Sequence, residues 1–291
     1  MKKKCDAIQH NNIVKYHNDL NLVQFKDFTT RELNLFYSIC AVMRDQDENT
    51  ITFTFDYLKS LAQIEVQNKT EFVELTKRMY NKLINLKFEY EDEHKFVKFV
   101  LFTAFTVEKN EEIVSVKVNP DFKYILNNIT SNFTRFELQE YNSLKSKYSK
   151  EAYRYIKRFR TTGMWKVDLE SFKRIMGLPS EYETRFINRD VISVIESELS
   201  SIIKGLKIEK YRKGRSIIGY IFTFKKEAIP KSVKKNEPPV IVTKSAEEIV
   251  RERHEKQKKA NVYKTKFHNF DIDNSDQYSA ENLEKIMKNN K

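Results

Sequence analysis

An α+β fold of two tandem winged-helix (helix-turn-helix) units, with a charged and partly disordered C-terminal tail, is predicted by three observations. The chain carries an internal repeat, each copy runs helix, strand, helix, helix, strand, strand, and the composition changes after Glu227. Short helices and strands are weak signals singly. Two copies in one order, with matching apolar positions, are a much stronger one.

The repeat aligns "ITFTFDYLKSLA" (51–62) without gaps on "WKVDLESFKRIM" (165–176), at an offset of 114 residues. Ile51, Phe53, Phe55, Leu58 and Leu61 fall on Trp165, Val167, Leu169, Phe172 and Ile175. Each piece reads as a short alternating strand followed by a helix with Asp56 or Glu170 in its first turn. At the same offset "TEF" (70–72) meets "TRF" (184–186), the start of a longer helix. "LKFE" (86–89) then matches "LKIE" (206–209) at an offset of 120, which predicts a second helix about six residues longer. Both copies run on into strands, "FVKFVLFTAFTV" (96–107) and "SIIGYIFTF" (216–224). Three helices closed by a hairpin make the winged-helix arrangement.

Along the chain, an arm over 1–28 contains "IVKYHNDLNLVQF", an apolar strand or a surface for another subunit. The first unit spans 29–118 and opens at Thr29 and Glu32, which have capping-box spacing before "RELNLFYSICAVM". A linker over 119–147 holds one or two short helices and a second capping-box spacing at Thr134 and Glu137. The second unit, 148–227, opens on "YSKEAYRYIKRF". The remainder, 228–291, holds a Pro-rich linker, a charged possible helix and an Asn/Asp/Ser-rich end.

Lys and Arg outnumber Asp and Glu by 53 to 41, a net charge of +12 that favours an anionic partner, nucleic acid first. The excess is uneven. Residues 29–118 hold twelve basic and fifteen acidic residues; 148–215 hold sixteen and nine. On a helix through 148–161, Tyr148, Ala152, Tyr155, Ile156 and Phe159 form one face, and Lys150, Arg154, Lys157, Arg158 and Thr161 the other. The uniformly cationic face lacks the acids of a merely solvated helix and suits phosphate.

The longer helix of the second unit has apolar positions at Phe186, Val191, Ile195, Leu199, Ile202 and Leu206. Its first turns expose Arg185, Asn188 and Arg189, and its middle Glu196, Ser197 and Glu198. A recognition helix reads bases with its N-terminal residues, where Arg suits guanine and Asn suits adenine. In "GLKIEKYRKGRSIIGYIF" (205–222), Gly214 serves a turn flanked by Lys210, Arg212, Lys213 and Arg215, and Ile218, Tyr220, Phe222 and Phe224 alternate toward the core. In the first unit, Lys69, Lys77, Arg78 and Lys82 share their helix with Glu71 and Glu74, and Glu91, Asp92 and Glu93 form an acidic turn. A protein contact, or limited DNA contact through Lys69, Lys77 and Arg78, fits that unit better.

Motifs for chemistry are not found. The histidines (10, 17, 94, 254 and 268) have no HxH, HxxxH or HExxH spacing, so no metal site is predicted. Gly214 to Gly219 lacks the following Lys and hydroxyl of a phosphate-binding loop, and no G-x-S-x-G occurs. No cofactor and no enzymatic activity are expected. Cys5 and Cys40 form no framework, and no run of eighteen apolar residues exists, so a cytoplasmic protein without a membrane span is expected.

Over roughly 25–227 the chain resembles the initiator replication (Rep) proteins of iteron-containing plasmids, built of two winged helices. The resemblance rests on the paired order, on "YSKEAYRYIKRFRTTGMWKVDLESFKRIMGL", and on "FINRDVISVIESEL" followed by "LKIEKYRKGRSIIGYIF". It implies sequence-specific binding of monomers to directly repeated origin sites, help in opening AT-rich duplex, and recruitment of a host initiator and helicase. It also implies dimers, joined through the first unit, that repress their own gene. Carried onto this chain, it implies Lys150, Arg154, Arg158 and Arg160 on backbone phosphates, Arg185, Asn188 and Arg189 in the major groove, and Lys210, Arg212, Lys213 and Arg215 in the wing. The alternatives are a winged-helix transcription regulator and, more remotely, a nicking or priming enzyme.

Overall fold

The computed structural model describes residues 13–46, 50–86, 88–91, 96–120, 123–127, 129 and 131–228. Beyond its first residue the predicted tail lies outside the described residues, as do Asp92 and Glu93 of the acidic turn.

The first unit is α1 (Thr30–Met43), β2 (Ile51–Thr54), α2 (Phe55–Ala62), α3 (Lys69–Ile84), β5 (Phe102–Glu108) and β6 (Ile113–Val118), with a hairpin β3 (Phe88–Glu91) and β4 (Phe96–Phe99) between α3 and β5. The second is α6 (Lys147–Arg158), β8 (Met164–Asp168), α7 (Leu169–Met176), a long helix, β9 (Lys207–Lys213) and β10 (Ser216–Thr223). That helix has three parts: α8 (Thr184–Phe186), a π-helical segment Ile187–Ile192, and α9 (Ser193–Leu199).

The two units share a sheet order, β2-β6-β5 and β8-β10-β9, all antiparallel. The repeat reaches the caps. Thr54 accepts from the Tyr57 amide and Asp168 from the Ser171 amide, opening α2 and α7 at positions 114 apart. Both helices end on a left-handed residue at the same offset, Gln63 (φ 51°) and Gly177 (φ 65°). The matched apolar residues Ile51, Phe53, Phe55, Leu58, Leu61, Trp165, Val167 and Phe172 are buried. Trp165 stacks between Tyr155 at 4.9 Å and Phe222 at 4.5 Å. Each such ring removes roughly 200 Å² from water, worth several kcal/mol.

The repeat's second half aligns differently from the sequence expectation. The counterpart of β9 is β5 rather than β3, so "LKFE" falls on a hairpin that the second unit lacks. The long helix is no longer than its sibling: its parts of three, six and seven residues equal the sixteen of α3. Three identical letters of four at a helix end fit a strand start in either place, and only pairing partners separate the two. The first wing therefore turns at Lys109–Glu112, not at 91–93.

The two units are joined by a third element. β1 (Ile13–His17), from the arm, pairs antiparallel with β7 (Phe133–Glu137) from the linker. The linker also holds α4 (Lys123–Leu126) and α5 (Leu138–Ser143). The capping box at Thr29 and Glu32 is present in both directions. The one expected at Thr134 and Glu137 is not. Thr134 lies inside β7, accepting from Asn21 Nδ2 and donating to Asn18 Oδ1, each at 2.8 Å, and Glu137 caps α5 without a side-chain bond. The S/T-x-x-E spacing signals a cap only where the backbone has already left the strand.

Candidate nucleic-acid interface

The wing of the second unit forms as its residues direct. Gly214 takes φ +60° with open space around it, turning β9 into β10. Lys210, Arg212, Lys213 and Arg215 are exposed around this turn. Arg212 Nη1 donates to the Arg215 carbonyl at 3.2 Å. Among the described residues none of the four forms an ion pair. Tyr220, Phe222 and Phe224 point into the core from the same hairpin, so it is anchored while its tip is free. Lys166 was not singled out from the sequence; it lies 3.8 Å over the Tyr211 ring on the solvent side of this sheet. The alternation in "MWKVD", with Trp165 and Val167 inward, was the available signal.

The start of the long helix presents two arginines. Arg185 and Arg189 sit over the Phe186 ring at 4.7 and 5.0 Å, with side chains 71 % and 69 % exposed. Arg185 pairs with Glu183 at 2.8 Å. Arg189 grips Asp190 through Nε at 2.6 Å and Nη2 at 2.9 Å, and the Tyr182 hydroxyl donates to the same carboxylate at 3.0 Å. The bond from Arg189 holds the Asp190 carboxyl below its usual range. Asn188 is turned inward: its Nδ2 donates to the Thr184 carbonyl at 2.8 Å and its Oδ1 accepts from the Tyr220 hydroxyl at 3.2 Å. Both ends of its amide are engaged within the domain, in contrast to the solvent-facing base contact expected of it.

The cationic face expected on α6 is buried. Lys150 and Arg154 are wholly buried, and Lys157 and Arg160 nearly so, which excludes Lys150, Arg154 and Arg160 as phosphate contacts in this conformation. Arg154 donates to both Glu151 oxygens at 3.0 and 2.7 Å, to Tyr16 at 3.1 Å, to the Leu20 carbonyl at 3.1 Å and to Asn21 Oδ1 at 3.2 Å. Lys150 Nζ donates to Asn34 Oδ1 at 2.6 Å and to the Tyr141 carbonyl at 2.5 Å. Burial pushes its pKa down to about 7. Burial also works to lower that of Lys157, but Glu137, Glu140 and Glu227 together raise it. Arg158 stays half-exposed over Phe159. The arm and α1 cover this face at separations above one hundred residues, and the linker covers it from outside the helix, neither of which helical periodicity registers.

In the first unit the cations of α3 are neutralised. Lys69 meets Glu112 at 3.0 Å, Lys77 meets Glu74 at 2.8 Å, and Lys82 and Arg78 both approach the buried Glu32, at 2.6 and 4.0 Å. Its wing carries Glu108, Lys109, Glu111 and Glu112. Among the described residues no His/Cys/Asp/Glu group has the arrangement of a metal site, and no helix is long and apolar enough to cross a membrane.

Residues 13–157 match the family described as "Initiator Replication protein, WH1", and residues 168–224 match "Initiator Rep protein, WH2". A "Probable replication protein rep" of Bifidobacterium longum (strain NCC 2705) is 35% identical over 224 residues, covering 76% of this chain and 75% of that protein. The crystal structure of Pi initiator protein in complex with iteron DNA shares the fold with a TM-score of 0.61 at 15% identity, over 76% of this chain and 100% of that one.

Proposed function

The chain belongs to the family of initiator replication proteins with two winged-helix domains, and from that premise we propose that it binds double-stranded DNA at the repeated sites (iterons) of a plasmid origin. The observation that carries this reading is the free basic wing beside an arginine-bearing helix start in the second unit. Phosphates of the backbone bind Lys210, Arg212, Lys213 and Arg215, and base edges in the major groove meet Arg185 and Arg189. The first unit, acidic at its wing and internally paired on α3, adds limited DNA contact through Lys69, Lys77 and Arg78 and serves as the surface for a homodimer. Monomers on iterons open the neighbouring duplex and recruit a host initiator and helicase, and dimers repress the protein's own gene. The protein acts by binding, without enzymatic chemistry, in the cytoplasm.

Footprinting on DNA flanking its gene tests this reading. A ladder of equal direct repeats, together with replication of an origin plasmid when the protein is supplied in trans, is the expected result. Protection of one inverted repeat without replication would replace it with a transcription regulator, and metal-dependent strand cleavage would replace it with a nicking enzyme.

A further inference from the structure

The β1–β7 ribbon gathers four cations, Lys15, Arg44, Arg135 and Arg160. Its inner face, Val14, Tyr16, Thr134 and Phe136, is wholly buried. On its outer face Lys15 and Arg135 are direct cross-strand partners. Like charges at opposed positions are ordinarily destabilising, because their Cβ atoms lie only about 5 Å apart. Next to them is Arg160. Arg160 is buried, its Nη1 donates to the Arg135 carbonyl at 3.3 Å, and among the described residues its Nη2 has no partner. Arg44 closes the end of the ribbon, donating to the Ile13 carbonyl at 3.0 Å.

The four cations act on one another. Burial lowers the pKa of Lys15, and Arg44, Arg135 and Arg160 lower it further, against Asp45. Burial and then Arg135 lower both Arg44 and Arg160. Of the acids nearby, Asp45 sits 3.5 Å from Arg44, and Glu137 and Glu227 are each 3.2 Å from Lys157. The cross-strand cations are only partly compensated, with Lys15 Nζ donating to the neutral Ile129 carbonyl at 2.6 Å and Asp45 shared with Arg44, and such a pair is costly. One tetrahedral oxyanion held by Lys15 and Arg135 relieves this, since Arg and Lys are the side chains that suit its oxygens, and the buried Arg160 adds its charge without a contact.

We propose that the ribbon is a second phosphate-binding site, in which a phosphate oxyanion bridges Lys15 and Arg135 next to the buried charge of Arg160. The phosphate is a phosphodiester of nucleic acid or a free phosphate ion. The site is separate from the wing and does not depend on the wing's role.

The test compares the full-length protein with Lys15→Gln and with Lys15→Gln/Arg135→Gln. Thermal unfolding is followed in sodium phosphate and in sodium chloride of equal ionic strength and pH. The wild type is expected to melt several degrees higher in phosphate, and both variants are expected to lose that difference while melting in chloride no lower than the wild type. In a second arm, the slope of log K against log salt is measured on random-sequence duplex. A slope reduced by about one in the variants identifies a DNA phosphodiester, at roughly 0.9 per phosphate. A phosphate-specific melting shift with an unchanged slope identifies the free ion. No phosphate-specific shift in the wild type and no change of slope in Lys15→Gln overturns the proposal, including where the double variant fails to fold. Neutralising Arg212 and Lys213 should leave the phosphate shift intact, so failure of the wing as a DNA clamp is read separately.

Discussion

The two winged-helix units share order, sheet topology and caps, yet they handle their cations in opposite ways. In the first, Lys69, Lys77, Arg78 and Lys82 all meet carboxylates of the same unit, and the wing ends in Glu111 and Glu112. In the second, Lys210, Arg212, Lys213 and Arg215 crowd one turn without an ion pair among the described residues. A lysine already paired brings little net charge to a polyanion. The same scaffold therefore yields a neutral surface or a phosphate-seeking one, according to whether acids stand three residues away, on α1 or in the wing. A second contrast lies within the second unit itself: the cations of α6 hold the fold together, and those of the wing are left for a partner.

That second contrast is the easiest to break. Arg154→Met should cost about 3–5 kcal/mol of stability, because Glu151 is left buried without its partner. Denaturant unfolding measures it, and the salt dependence of DNA binding of the folded fraction should not move. Replacing Lys210, Arg212, Lys213 and Arg215 together by Gln should do the reverse. The melting temperature should hold within a few degrees, while the slope of log K against log salt falls by about three to four. The matching change at Lys69, Lys77 and Arg78 should lower that slope by less than about one; equal losses in the two units would erase the distinction between them.

Arg189→Ala should weaken binding to cognate sites by about 1–3 kcal/mol and to random duplex far less, in parallel titrations on the two DNAs. Equal losses would leave Arg189 a phosphate contact only. A further effect concerns pH. Lys150 has a folded pKa lowered to about 7, so the unfolded chain holds more protons above that pH. Stability from this site is lost as pH falls through 7 and is complete only above the ordinary lysine range. The stability of the wild type relative to Lys150→Met should therefore rise between pH 7 and 10, by at most about 1.4 kcal/mol per pH unit. A flat difference would mean that Asn34 and the Tyr141 carbonyl keep the ammonium charged throughout.

The wing was legible from its letters because a turn is local. Gly214 between basic residues, with alternating apolar residues after it, leaves few other conformations. Arg185 and Arg189 were legible for a similar reason, as the polar positions of one helical face. Asn188 was not, because the Tyr220 hydroxyl that takes its amide oxygen comes from a strand thirty-two residues on. Lys150, Arg154 and Arg160 were misplaced by the same kind of blindness. Periodicity separates an apolar face from a polar one, but it does not say whether protein or water meets the polar face. The missing acids that made the α6 stripe look like a phosphate track are supplied from Glu137, Glu140 and Glu227, and from the neighbouring Glu151.

The internal repeat, the capping residues and the balance of charge between the copies are matters of local spacing and composition. Short-range sterics, helix capping and apolar alternation are enough to set them, and they carried the fold class and the division between the units. Which lysines and arginines remain available to a partner was settled only by folding. A charged side chain is buried or exposed according to which distant segments close over it, and its burial is stable only when carboxylates, carbonyls and phenols from those segments arrive together. On α6 they arrive, and its cations become structural; at the wing they do not, and its cations stay in water.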